Sequence, residues 1–224
     1  MKIAIFGNGK MGKKISQIAI RKGHKIVCIT DSKRPAKFSQ IKNAEVAIEF
    51  STPTTAFENI QYAIQNGVPI VAGTTGWLEK KDEINEKCLK YNGTFLYASN
   101  FSIGVNIFFK INEVIAKIMK TKNYDTSLHE IHHKQKLDSP SGTAITISKK
   151  IEKILNKNIS IYSERVNNEP GTHLVKYVSE FDKIEVKHSA FNRDGFALGA
   201  IMAAEWIKDK KGIFEMSDVI HELI

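Results

Sequence analysis

The spacing of apolar positions changes near residue 103, and that change divides the chain. Before it, short apolar runs alternate with segments of helical period. Lys2–Phe6 reads as a buried parallel strand, and Ile15, Ile18 and Ala19 recur as the inner face of a helix ending near Lys22. Further strands are expected at 25–30, 45–50, 67–72 and 94–98, with helices at 53–66 and 78–91. Such alternation predicts an α/β, Rossmann-type parallel sheet. Beyond it, 105–120 is helical, with Val105, Phe108, Phe109, Asn112, Ile115 and Ile118 recurring on one side. A strand at 124–133 and a helix at 143–155 follow. Three strands at 159–165, 172–179 and 183–190 then come with no helix to separate them. This predicts a C-terminal α+β domain with an open mixed sheet, whose bare face invites a second subunit. The expected domains are 1–102 and 103–194, with a C-terminal helix in 195–224 returning to the first.

Composition narrows the class. At 224 residues and 42% hydrophobic content the chain can bury a sizeable core. No apolar run reaches the roughly 18 residues of a membrane span. The opening run lacks the longer apolar core and cleavage site of a signal peptide, and Cys28 and Cys88 look like the reduced cysteines of a cytoplasmic protein. A net charge of +9 raises nucleic acid as a partner. The lysines are scattered, however, over Lys13-Lys14, Lys80-Lys81, Lys149-Lys150 and Lys208 to Lys211, and no basic stripe interleaves with aromatics. Neither nucleic acid nor membrane is the expected partner.

Candidate chemistry lies in two places. After the first strand comes Gly7-Asn8-Gly9-Lys10-Met11-Gly12 and then a helix, the order a dinucleotide-binding loop requires. Gly7 permits the tight turn, Gly9 lets backbone approach a pyrophosphate, and Gly12 lets helix pack on strand. Asp31 ends the second strand, where an acid takes the ribose hydroxyls; Lys33 and Arg34 could instead reach a 2′-phosphate, leaving NADH or NADPH open. Gly73, Thr74 and Thr75 end the fourth strand, where open parallel sheets bind ligands. The second place is Glu130 to Thr143. Lys136 supplies positive charge, and the turn Ser141-Gly142-Thr143 opens a helix, so its N–H groups and the helix dipole favour an anion. An adjacent imidazole can move a proton near neutral pH. A doubly negative small acid is the expected substrate. His129, His132 and His133 crowd together, but successive strand residues face opposite ways, and no metal is expected.

These residues resemble the dihydrodipicolinate reductase family over nearly the whole chain. The core of the likeness is Glu130-Ile131-His132-His133-Lys134-Gln135-Lys136 with Asp138-Ser139-Pro140-Ser141-Gly142-Thr143-Ala144, similar to the signature E-x-H-H-x-x-K-x-D-x-P-S-G-T-A. Supporting matches are Gly73 to Gly76, Asn100 to Ser102, Gly104 to Asn106 and Phe196 to Ala200. The resemblance implies NADH- or NADPH-dependent reduction of a cyclic imine dicarboxylate in lysine and diaminopimelate biosynthesis. It implies that His132 is the acid, Lys136 the second donor, and His133, Gly142 and Thr143 substrate ligands. Cofactor contacts would fall on Gly7 to Gly12, Asp31, Gly73 to Thr75, and Ala98, Ser99, Asn100 and Phe101, in a homotetramer. The chain departs from the family in a glycine loop one residue shorter than G-x-x-G-x-M-G, and in Asn167, which stands where R-x-G…G-x-H has its first glycine; Gly171 and His173 remain. The glycine loop alone would also suit another two-domain nicotinamide reductase or a non-catalytic dinucleotide sensor. Neither accounts for the paired His132-His133 with Lys136.

Overall fold

The structure, a computed structural model, describes residues 1–31 and 41–222. Lys33 and Arg34 lie outside the described residues. In chain order the elements are β1 (Lys2–Phe6), α1 (Lys10–Arg21), β2 (Lys25–Thr30), β3 (Val46–Glu49), α2 (Pro53–Gln65), β4 (Ile70–Ala72), α3 (Lys81–Lys90) and β5 (Thr94–Tyr97). There follow α4 (Ile103–Met119), β6 (Asp125–His132), α5 (Gly142–Leu155), β7 (Ser160–Arg165), β8 (Thr172–Val178) and β9 (Lys183–Ser189). The chain closes with α6 (Asp194–Ile207), β10 (Gly212–Glu215) and α7 (Met216–His221). It divides into two compact units: Met1–Ile103 with the residues from Asp194 onward, and Gly104–Arg193.

In the first unit six parallel strands lie in the order β10-β5-β4-β3-β1-β2. Alternation along each strand feeds two cores. Ile3, Ile5, Ile48, Val71 and Leu96 pack on α1, α6 and α7, while Ala4, Phe6, Ala47 and Ala72 pack on α2 and α3. Burial of both faces is why these strands read as unbroken apolar runs. β2 and β3 flank β1 on opposite sides, so the loops that leave β1 and β3 part at the carboxyl edge and open a crevice. Glycine sets two close approaches. A Cβ on Gly12 would stand 2.0 Å from the Gly7 carbonyl oxygen, and one on Gly199 only 1.7 Å from that of Phe101.

The end of the chain differs from the expected helix. Gly212, at φ +124°, follows the lysine-rich turn 208–211 and starts β10, which extends the sheet beside β5. The Glu215 N–H then donates to Asp218 Oδ2 at 2.8 Å and starts α7. Four strand residues gave too short a signal to separate from a helix.

The second unit carries a four-stranded mixed sheet, β7-β6-β8-β9. β6 and β7 run parallel, joined through α5, and β8 and β9 add antiparallel strands. Leu128, Val175 and Tyr177 meet Phe108 and Ala116 of α4 and Ala144, Ile147 and Ile151 of α5 in one core. On the opposite face His129 stacks on Tyr162 at 4.7 Å, outside that core. The inner side of α4 is Val105, Phe108, Asn112 and Ala116; Ile118, expected inward, is 59% exposed.

Gly199→Ala should therefore lower the stability of the first unit by about 2 kcal/mol or more, because backbone has to move to admit the methyl. Gly9→Ala, where a Cβ meets nothing within 4 Å, should leave the denaturation midpoint nearly unchanged. Chemical denaturation of the two variants checks the contrast.

Candidate active site

The carboxyl edge of the first sheet holds a cleft of about 360 Å³, lined by Gly9, Lys10, Met11, Phe50, Ser51, Pro53, Gly73, Thr74 and Thr75. It brings together the loops after β1, β3 and β4. Gly9 caps α1 with no side-chain bond and open space at its Cβ position, so a phosphate could lie against bare backbone N–H groups. The ring of Phe50 crosses Gly73, where a Cβ would come within 2.2 Å. Asn8 donates to Asp31 Oδ2 at 3.2 Å and ties the glycine loop to the end of β2. These features fit a dinucleotide. Ala98 to Phe101 follow β5 and do not line the cleft. Phe101 is buried, its ring 5.6 Å from that of Phe50.

Glu49 had no place in the sequence reading. It is fully buried at the end of β3, and its Oε1 accepts from the Ser51 N–H at 2.8 Å and from the Ser51 hydroxyl. The same N–H lies 2.9 Å from Thr74 Oγ1, so Ser51, held by Glu49, links two cleft loops. Burial raises the Glu49 carboxyl above its ordinary range, against the lowering effect of Ser51 and Thr74. Its signal was an acid closing an otherwise apolar strand.

The second unit builds a denser cluster by register. Glu130 and His132 alternate on the core-facing side of β6. Glu130 pairs with His173 on β8, and His132 with Arg165 on β7, so all four side chains share one face at the strand ends. Glu130 is completely buried. Its Oε1 accepts from the Ser141 N–H at 2.9 Å and from Arg165 Nη2 at 3.3 Å. Its Oε2 accepts from the Ser141 hydroxyl, with His132 Nδ1 at 3.3 Å and His173 Nε2 at 3.7 Å. The His132 contact has ion-pair distance without hydrogen-bond alignment. Burial alone would raise the Glu130 carboxyl, but His132, His173 and Ser141 outweigh it and hold it well below the usual carboxylate range. Burial lowers His173, helped by His132 and Lys136 and opposed by Glu130. His132 turns Nδ1 toward Glu130, which leaves Nε2 as the nitrogen away from the carboxylate. A Cβ on Gly171 would lie 3.1 Å from that Nε2. Asn167 takes φ +38°, a left-handed position asparagine tolerates, and its carbonyl accepts the Lys134 N–H at 3.2 Å.

Lys136 meets Asp138 Oδ1 at 2.8 Å beside the start of α5. Gly142 is exposed and Thr143 half-buried there. His133 is half-buried just past β6. Ser141 requires a correction: it is 1% exposed, both its groups donate to Glu130, and its Oγ accepts from the Ala144 N–H at 3.1 Å. Its donors are committed to the fold. Glu130, His132 and His173, within 4.8 Å of one another, have the donor types of a cation site, a different trio from the three imidazoles weighed on sequence. The Arg165 guanidinium on the same carboxylate makes the cluster a poor host for a further full positive charge.

Glu130→Gln should destabilise the second unit by about 3 kcal/mol, since it leaves the guanidinium and serine donors without their anion. A carboxyl held low in the fold stabilises above its unfolded pKa, so the gap between variant and wild type should narrow as pH falls below about 4. Thermal melts across pH check this.

Comparison with known proteins agrees with both halves. Residues 1–101 match "Dihydrodipicolinate reductase, N-terminus" and residues 104–220 match "Dihydrodipicolinate reductase, C-terminus". The chain is 45% identical to 4-hydroxy-tetrahydrodipicolinate reductase of Christiangramia forsetii, over 100% of this chain and 99% of that one. It is 35% identical to the enzyme of the same name from Thermosipho africanus, over 99% of each. A solved dipicolinate-bound dihydrodipicolinate reductase from Paenisporosarcina sp. TG-14 shares the fold, with a TM-score of 0.83 at 23% identity over 97% of this chain and 98% of that one. With a glycine-loop cleft in one unit and a histidine–lysine site in the other, the chain belongs to the dihydrodipicolinate reductase family and is an NAD(P)H-dependent oxidoreductase.

Proposed function

We propose that this chain reduces 4-hydroxy-tetrahydrodipicolinate to tetrahydrodipicolinate with NADH or NADPH, a step of lysine and diaminopimelate biosynthesis. One observation carries the reading: an acid-backed imidazole, an ammonium and an exposed helix start occur within one strand–loop–helix segment, His132 to Thr143. That set suits a ring with two carboxylates and one proton to receive, and the solved relative is bound to dipicolinate, a planar pyridine dicarboxylate.

The chain's own residues divide the work. Lys136 and the N–H groups of Gly142 and Thr143 hold carboxylate, with His133 beside them. His132, with Nδ1 turned toward the buried Glu130, hands its proton from Nε2 to the ring, and Lys136 is the second donor. Gly7 to Gly12, Asp31, Gly73 to Thr75 and the backbone of Ala98 to Phe101 hold the nicotinamide cofactor. The 4-hydroxyl leaves as water with a hydrogen from the neighbouring ring carbon; the cofactor, bound there, would supply hydride to ring carbon 4, and the proton from His132 goes to that neighbouring carbon. The sheet face of His129 and Tyr162, bare within its unit, joins copies into a homotetramer, and the protein works in the cytoplasm. Among the described residues no helix is long and apolar enough to cross a membrane.

A coupled assay that generates the cyclic precursor in place should show precursor-dependent oxidation of NADH or NADPH. His132→Ala should cut kcat about 100-fold or more with cofactor affinity retained. Cofactor binding without any turnover would favour a dinucleotide sensor, and full kcat in the variant would remove His132 from the acid's role.

A further inference from the structure

The carboxylate of Asp138 lies where the substrate reading puts a carboxylate of the ligand. Its Oδ1 is 2.8 Å from Lys136 Nζ, and its own loop leads into the start of α5. The Lys136 ammonium holds the Asp138 carboxyl below its ordinary range. Partial burial opposes this, and the N–H groups of Asp138 itself and of Gly142 add to it. An internal anion thus meets both the ammonium and the helix-start amide assigned to the substrate. Arg165 keeps the segment in place from behind, donating to the Asp138 carbonyl at 2.5 Å while it pairs with Glu130. The backbone is anchored, and the Asp138 side chain is 56% exposed against 24% for Lys136.

We propose that Asp138 is an intramolecular stand-in for the substrate carboxylate, which keeps Lys136 beside the helix start in the free enzyme and yields to the ligand on binding. The inference rests on the substrate site proposed above. The physical logic is competition. A fixed carboxylate on Lys136 removes the isolated ammonium from water-exposed wandering, but it also lowers apparent affinity, because only the fraction of molecules with Lys136 released can bind. An exposed ion pair of this kind is weak, so a rigid dianion that engages the ammonium and two amides together displaces it readily. The cost should fall on KM, where ground-state binding is read, rather than on kcat.

Asp138→Asn keeps the shape and an acceptor for the Gly142 N–H while removing the charge; Asp138→Ser removes the charge with a shorter side chain and guards against a local packing effect. Calorimetric titration with dipicolinate, together with steady-state kinetics, reads the result. Both variants should bind dipicolinate about two- to fivefold more tightly and lower substrate KM by a similar factor. In a Lys136→Ala background the Asp138 substitutions should give no such gain, since the competition needs both partners. Unchanged or weaker binding in the single variants would overturn the proposal. An equal gain without Lys136 would also overturn it, by showing only a long-range charge effect. Separately, dipicolinate binding that survives Lys136→Ala at full strength would refute the substrate site itself.

Discussion

A carboxylate removed from water must be met by donors, and Glu130 imposes that demand on the second unit. Its partners come from separate elements: Arg165 from β7, His173 from β8, His132 from its own strand and Ser141 from the start of α5. Unmatched, a buried charge of this kind is strongly destabilising. Meeting it fixes three things together. The imidazole of His132 acquires a defined direction, the sheet acquires a defined register at its carboxyl edge, and the first turn of α5 is held against β6. The placement of His132 and of the start of α5 therefore follows from one buried charge.

The first unit obeys a different constraint, that of close approach. Gly12 and Gly199 admit carbonyl oxygens where no side chain fits, and Gly73 admits the Phe50 ring. Gly9 alone in the glycine loop faces open space from a capping position. Packing accounts for the first three of these glycines and not for Gly9. Glu49 holds Ser51, whose N–H links the loops after β3 and β4 beside the β1–β3 crevice.

Much of this was legible in the sequence because it is written locally. Continuous apolar runs marked β1, β3, β4 and β5, and the glycine spacing marked the turn into α1. Glu130 to Thr143 lies within one stretch, so its lysine and helix start could be read as a unit. What escaped is non-local. Nothing in the run around His173 says that it will stand opposite Glu130; strand register decides that. Ser141 read as a ligand because its N–H stands at a helix start, whereas a carboxylate eleven positions earlier claims it. β10 was too short to show a period of its own, and Ile118 continued an apolar pattern that the helix turns outward.

The most direct test of the account is to follow the backbone amides and the His132 and Lys136 side chains by heteronuclear NMR during titration with dipicolinate. Gly142 and Thr143 should carry the largest amide shifts, with His132 and Lys136 responding at the same ligand concentration. Saturable binding that leaves Gly142, Thr143 and Lys136 unmoved would place the dianion elsewhere and contradict the account.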